Sequence, residues 1–585
     1  MGRYLIVNRT PAHDRAARLS QGLEEDARRL GFTVSDLNAH AWIAVRGPAA
    51  PGRIGVGTWT LIGNVFHRRC PAIPSSRPDD RWDYERKLMA RFWGRYVGVR
   101  FGAADQLAGV LRDPSGALEC VTWRQDGLTL VSSAAEDFVL RRLSPRWRLS
   151  TQRIAEALRD PVPATGALLI DGPTALEPGS ALDIGSDRPP TRLWTPANHA
   201  RRSLGVAPSR EEAAAQLRSA IDEATGALAS VSAPLAGEVS GGLDSSIVAA
   251  SLVAADPAQV SIWLNAYGAS TEADERSYVA ALANRLGISP QTVPHATEPL
   301  SRTWLEALSP GFRPGLTALD RPHDLDWARR LEGAGVVGLM TGAGGDSVLF
   351  QRATIDVFVD QWRSRPWRAA FDRDAVELAA SNEISVWTMI ADARRRRQAP
   401  HPAPRRDHPM LPILPGGLPR HPWLADWDAF GPAKAMHLAG VIDNVARHGP
   451  SELTDRIDVR HPLCAQPVIE ACLALPTALL TTGGRERGLA RLAFRDRLPK
   501  AIIERRSKGD MTRIYGRMIL DGLDVLRPWL IEGRLAALKV IDPEAADRAL
   551  TREALVWHGR YSTIMVAAAF ESWVRTWEAR LKSAP

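Results

Sequence analysis

Two hydrophobic rhythms divide this chain. Over residues 1–200, short apolar runs alternate with polar positions and are cut by Gly, Asp-Pro and Asp-Gly: RIGVGTWTLIG, RYVGVRF, QLAGVLRD, ECVTWRQ and LTLVSS. A period of two broken by such turns predicts antiparallel hairpins, hence a layered β domain. Residues 188–210, RPPTRLWTPANHARRSLGVAPSR, read as a linker, and EEAAAQLRSAIDEATGALASV opens a helical region. From residue 234 strand-like and helix-like runs take turns. LAGEV, VSIWLNAY and GVVGLMTG are buried strands; DSSIVAASLVAA and EADERSYVAALANRLG are helices. Such alternation predicts a doubly wound parallel sheet. From about residue 355 the pattern is mainly helical. The expected architecture is therefore mixed, α/β and α+β, with domains at 1–200 and 201–585.

Length supports that division, because 585 residues exceed what one core holds. Hydrophobic residues at 45% and charged residues at 24% are ordinary for a globular chain. No apolar run is long enough for a membrane span, and MGRYLIVNRTPAHDRAA lacks the layout of a signal peptide. Cys70, Cys120, Cys464 and Cys472 form no metal-binding spacing, so a reduced, cytoplasmic protein is expected. Cys464 and Cys472 fall in an apolar pattern and read as core thiols. The net charge of +8 raises a nucleic-acid partner, but the basic residues are spread out. The dense block, RRRR at 394–397, lies in a Pro-rich stretch suited to a loop or to gripping an acidic or peptidic partner.

The chemistry concentrates in EVSGGLDSSIVAASL, residues 238–252. It lies between a strand and a helix, at the sheet edge where open α/β folds bind ligands. Glycines let backbone N–H groups approach an anion, and the helix offers its positive end. Ser240, Ser245 and Ser246 add hydroxyls. Asp244 would repel a bare phosphate, so it implies a bound cation, Mg²⁺ by its chemistry. The loop matches neither the Walker pattern nor the dinucleotide fingerprint.

SGGLDSS resembles the pyrophosphate loop of the N-type ATP pyrophosphatases, which adenylate a substrate oxygen. LRDPSG at 111–116 and TWRQDGLTLVSSAAED resemble the glutaminase-like domain of asparagine synthetases. LMTGAGGDSVLF at 339–350 resembles their second loop, although Ala343 and Ser347 stand where that pattern has Glu. HPWL at 421–424, GPAKAMH at 431–437, RHPLCAQPVIEACLALPT at 460–477, GGRERGLARLAF at 483–494 and LPKAIIERRSKGD at 498–510 resemble lasso peptide cyclases.

The resemblance implies an ATP- and Mg²⁺-dependent macrolactam synthetase. An Asp or Glu side chain of a precursor peptide would be adenylated and joined to the peptide's N-terminal amine. Val239, Ser240, Gly241, Gly242, Asp244, Ser245, Ser246, Leu264 and Gly342 would border the nucleotide, Val239 and Leu264 through backbone groups beside adenine. Asp244 and Asp346 would hold the metal. Lys508 would stabilise transition-state charge, and Glu275 would border the nucleotide or sit as a solvated helix carboxylate. Glutaminases of this type use an N-terminal Cys, and this chain starts Met-Gly, so no ammonia from glutamine is expected. The partners implied are the precursor peptide and, in the same pathway, a leader peptidase and a leader-recognition protein. A β-lactam synthetase, an asparagine synthetase-like amidation and a tRNA-modifying pyrophosphatase are the alternatives.

Overall fold

A computed structural model describes residues 2–47, 51–68, 82–161, 167–268, 274–308, 311–396, 408–412, 420–446, 449–506 and 512–582. Cys70, Arg397 and Lys508, singled out above, lie outside them, as does most of the 394–416 stretch.

The first part builds two six-stranded antiparallel sheets. One runs Thr174–Ala175, Val121–Gln125, Leu128–Ser132, Arg3–Arg9, Ala41–Arg46, Thr33–Asn38. The other runs Thr191–Arg192, Ser180–Asp183, Leu107–Arg112, Phe92–Phe101, Trp59–His67, Gly52–Val56. Tyr4, Ile6, Ile43 and Val45 of one meet Ile62, Val97, Val99 and Val110 of the other in a shared core. The Asp-Gly signal resolves as a two-residue hairpin: Asp126 and Gly127 take φ of 50° and 77°, the mirror-image turn that suits strand twist.

Two expectations change. Helices Asp14–Arg29 and Asp137–Leu143 pack in the core of the first sheet's other face. The first buries Ala16, Ser20, Gly22, Leu23, Asp26 and Ala27, mostly small or polar residues, so its face is set off by the charged residues opposite rather than by an apolar stripe. The supposed linker is also structural. Thr191–Arg192 completes the second sheet, and Trp194 is buried, donating from Nε1 to Glu470 Oε1 at 2.8 Å.

The later part holds a five-stranded sheet with all strand pairs parallel. Its spatial order is Pro290–Pro294, Val260–Tyr267, Leu235–Glu238, Gly338–Met340, Asp458–Arg460. In chain order that is 3-2-1-4-5, the doubly wound arrangement. Helix Arg210–Ala229, started by a Ser209/Glu212 capping box, and helix Leu243–Ala255 cover one face. On the other, Trp327, Ala328 and Leu331 of helix Arg321–Gly333 pack against Ala236, Leu264 and Leu339. Helices dominate after residue 355. No helix among the described residues is long and apolar enough to cross a membrane.

Candidate active site

A doubly wound sheet opens a crevice where strand order reverses, here between Leu235–Glu238 and Gly338–Met340. The loops leaving these two strands carry most of the residues selected from sequence.

In the first loop Gly241 has φ of 79°, which a side chain rarely adopts, and the backbone and Cβ of Glu275 close over it. The serines first build the loop itself. Ser245 Oγ accepts from the Ser240 N–H at 3.1 Å and lies 3.0 Å from Ser240 Oγ. Ser246 Oγ donates to the Gly242 carbonyl at 2.7 Å. No side chain caps the following helix at Gly242, so its first-turn N–H groups and positive end suit an anion.

The second loop presses directly on the first. A Cβ on Gly342 would overlap the Ser245 backbone, and one on Gly345 would overlap the Asp244 carboxylate. Gly345→Ala is therefore expected to cost about 1–3 kcal/mol by overpacking, seen as a lower apparent Tm. Gly333→Ala, where nothing lies within 4 Å, should leave Tm unchanged or slightly higher.

The two carboxylates converge. Arg487 Nη1 donates to Asp244 Oδ2 at 2.7 Å and to Asp346 Oδ1 at 2.5 Å. The guanidinium is buried. Burial opposes its charge, but Asp244, Asp346 and Glu486 outweigh that and hold its pKa above the ordinary arginine value. Two carboxylates brought to one nitrogen form a donor set fitting a hard divalent cation. With no cluster of three or more ligating side chains among the described residues, water and phosphate oxygens would complete Mg²⁺ coordination.

Further arginines surround the loop. Arg505 Nη1 donates to the Gly241 carbonyl at 3.1 Å, its Nη2 pairs with Glu275 Oε1 at 2.5 Å, and its guanidinium lies 3.9 Å from the Tyr278 ring centroid. Glu275 is thus an ion-pair partner beside the loop rather than a solvated carboxylate. Burial, with Arg485 and Arg487 nearby, pushes Arg491 down to about 10. This concentration of positive charge suits a polyphosphate.

Val239 and Leu264 are fully buried. The Val239 N–H donates to the Leu264 carbonyl at 2.9 Å, and Asn265 Nδ2 donates to the Val239 carbonyl at 2.8 Å. Their backbone groups thus belong first to the sheet's own bonding.

The C-terminal motifs act as braces. In GPAKAMH, Asp360 accepts from the N–H groups of Ala433 and Lys434, fixing the start of helix Pro432–Ala446. That helix supports the second loop. His437 Nε2 lies 2.9 Å from the Val348 carbonyl, and Asn444 Nδ2 donates to the Gly344 carbonyl at 3.3 Å. Cys464, a buried thiol as expected, donates to the Ala343 carbonyl at 3.4 Å. In HPWL, Trp423 packs edge-on against Trp194. Arg487 and Arg505 sit within quoted motifs, yet no local spacing distinguishes them from the many other arginines.

A family model described as asparagine synthase matches residues 216–575 of the chain, a span containing both loops and every brace. No curated protein matches it.

Proposed function

The chain belongs to the asparagine synthase family of ATP-dependent, amide-bond-forming ligases, and on that footing we propose that it is a lasso peptide cyclase. The adenylating half of this reading is carried by one observation, the convergence of Asp244 and Asp346 at the strand-order reversal. The cyclising half rests on the resemblance of the motifs between residues 421 and 510 to such cyclases.

A carboxylate is a poor acyl donor, so ring closure needs activation. In this reading the Ser240–Ser246 loop and its arginines hold the triphosphate of ATP, and the helix Leu243–Ala255 directs its positive end toward it. Bound Mg²⁺ would neutralise phosphate charge between Asp244 and Asp346. An Asp or Glu side chain of the precursor then attacks the α-phosphorus, pyrophosphate leaves, and the peptide's own N-terminal amine displaces AMP. The protein's further task is to hold a long peptide pre-folded, because proximity must offset the chain entropy of closing the ring. The first 200 residues serve as a glutaminase-like scaffold.

The test is substrate discrimination. With ATP, a precursor peptide of roughly 15–25 residues (the size the resemblance implies) should lose one water, a mass decrease of about 18 Da. A carboxyethyl-arginine-like amino acid should be untouched. Turnover of the amino acid with every peptide ignored would instead establish a β-lactam synthetase-like ring closure.

A further inference from the structure

Behind the two loops lies a cavity of about 520 Å³ between the antiparallel sheets and the parallel sheet. Its wall includes Thr341, Ala343 and Gly344 of the second loop and Glu238, the last residue of the central strand. Side chains alternate along a strand. Ala236 faces the helix Arg321–Gly333, so Glu238 points to that same side.

Glu238 has no hydrogen-bond or ion-pair partner among the described residues. Its carboxyl is enclosed by protein yet keeps accessible surface, because it opens on the cavity. Burial alone pushes it up to about 7. Five arginines also line the chamber. Arg3 pairs with Asp455 and Glu136, Arg112 and Arg313 with Glu119, and Arg95 with Asp458, while Arg46 lies 6.0 Å from the Phe32 ring centroid. Asp458 pairs with Arg95 and Arg460. His461 Nδ1 lies 2.7 Å from Thr341 Oγ1, and burial holds His461 and His323 at about 4, hence neutral. Asp324 accepts from Ser451, and burial pushes it up to about 7. Among the described residues the chamber therefore presents two carboxyls, Glu238 and Asp324, that none of its arginines pairs with, and an unpaired buried acid is costly unless something pairs with it.

We propose that this cavity is a binding site for a primary amine, the nucleophile of the amide-forming step, and that the Glu238 carboxylate anchors its ammonium and accepts its proton. This deepens the lasso cyclase reading and rests on it for the identity of the amine. An ammonium cannot attack; it must first lose a proton. Glu238 takes that proton, and the free nitrogen lone pair forms the C–N bond to the acyl carbon. The C–O bond to AMP then breaks, AMP leaves with the bonding electrons, and the second nitrogen proton passes to water. The amine thus reaches the acyl group from behind the loop that bears Asp346.

The probes are glycinamide and N-acetylglycinamide, which differ in the ammonium, titrated calorimetrically at pH 8 into the full chain and into Glu238→Gln. Glycinamide should bind wild type and weaken at least about tenfold in the variant, the scale of one lost charged contact, while the acetylated probe shows no such difference. Equal affinity of glycinamide for both proteins overturns the proposal. Folding is checked by apparent Tm. Because the Glu238 pKa is raised on folding, wild type loses stability as pH rises through about 4.5 to 7. Glu238→Gln should therefore melt higher than wild type at pH 8 and equally at pH 5. A variant melting no higher at pH 8 would show that the carboxyl is not buried alone, which also overturns the proposal. Asp324→Asn, titrated likewise, should weaken glycinamide by a smaller factor. Pyrophosphate release separates the inference from the function beneath it. Glu238→Gln should keep peptide-dependent release while losing the ring. If no peptide drives release from wild type yet glycinamide binding depends on Glu238, the cyclase reading fails and the amine site stands.

Discussion

Asp346→Asn is expected to abolish peptide-dependent pyrophosphate release, and Asp244→Asn to do the same, with the circular dichroism of both unchanged. Each carboxylate is one of two converging on the point where Arg487 now sits. Asparagine keeps the shape and removes the charge. Loss of a group that merely orients a metal ligand costs about 10–100-fold, so loss of a ligand should exceed about 100-fold. The double variant should be scarcely worse than either single one, because one missing ligand already disables a shared site. In each single variant Arg487 keeps the other aspartate and Glu486 as anionic partners, so the remaining pairs should hold the loops together. Full activity in either single variant would remove that residue from the metal site.

Lys508→Ala should bind ATP and peptide nearly normally but cyclise at least about 100-fold more slowly. Negative charge grows on the α-phosphate during adenylation and on the carbonyl oxygen when the amine attacks. An ammonium in a partly dehydrated site stabilises these transition states more than the ground state. Losing one such donor costs about 3–4 kcal/mol. Lys508 follows Arg505 by three residues, and Arg505 is anchored on the Gly241 carbonyl. Lys508→Arg should also be slow, because a planar fork does not replace a compact ammonium. Steady-state rates alongside titrated binding decide the matter; wild-type turnover in Lys508→Ala would make this lysine a surface residue.

How far sequence reached depended on whether a signal was local. Three of the parallel sheet's five strands were legible because they are apolar runs separated by helix-length segments, whereas the edge strands Pro290–Pro294 and Asp458–Arg460 are short and partly polar and carry no such signal. VSIWLNAY coincides with strand Val260–Tyr267. The SGGLDSS loop was legible because glycine, aspartate and hydroxyl residues in one turn have few structural uses together. Helix Asp14–Arg29 was missed because its buried positions are small or polar. Arg487 was missed for a different reason. Its role arises from meeting Asp244 and Asp346, 243 and 141 residues away in sequence, and nothing beside it marks it. Glu238 stood at the start of the motif unremarked, because only the surrounding protein reveals that its carboxyl has no partner among the described residues.

The last helix, Tyr561–Lys582, buries Trp573 and Trp577 in one core with Trp123 and Trp147 of the opening half. A second core joins Trp59 and Trp93 to helices surrounding the parallel sheet. The polypeptide is thus sewn to itself twice, near its tail and through its middle. Neither half can be inherited, excised or exchanged as a cassette without stripping tryptophans bare. A first half that had lost an ancestral chemistry would still be retained, because the rest of the chain cannot keep its shape without that partner's surface.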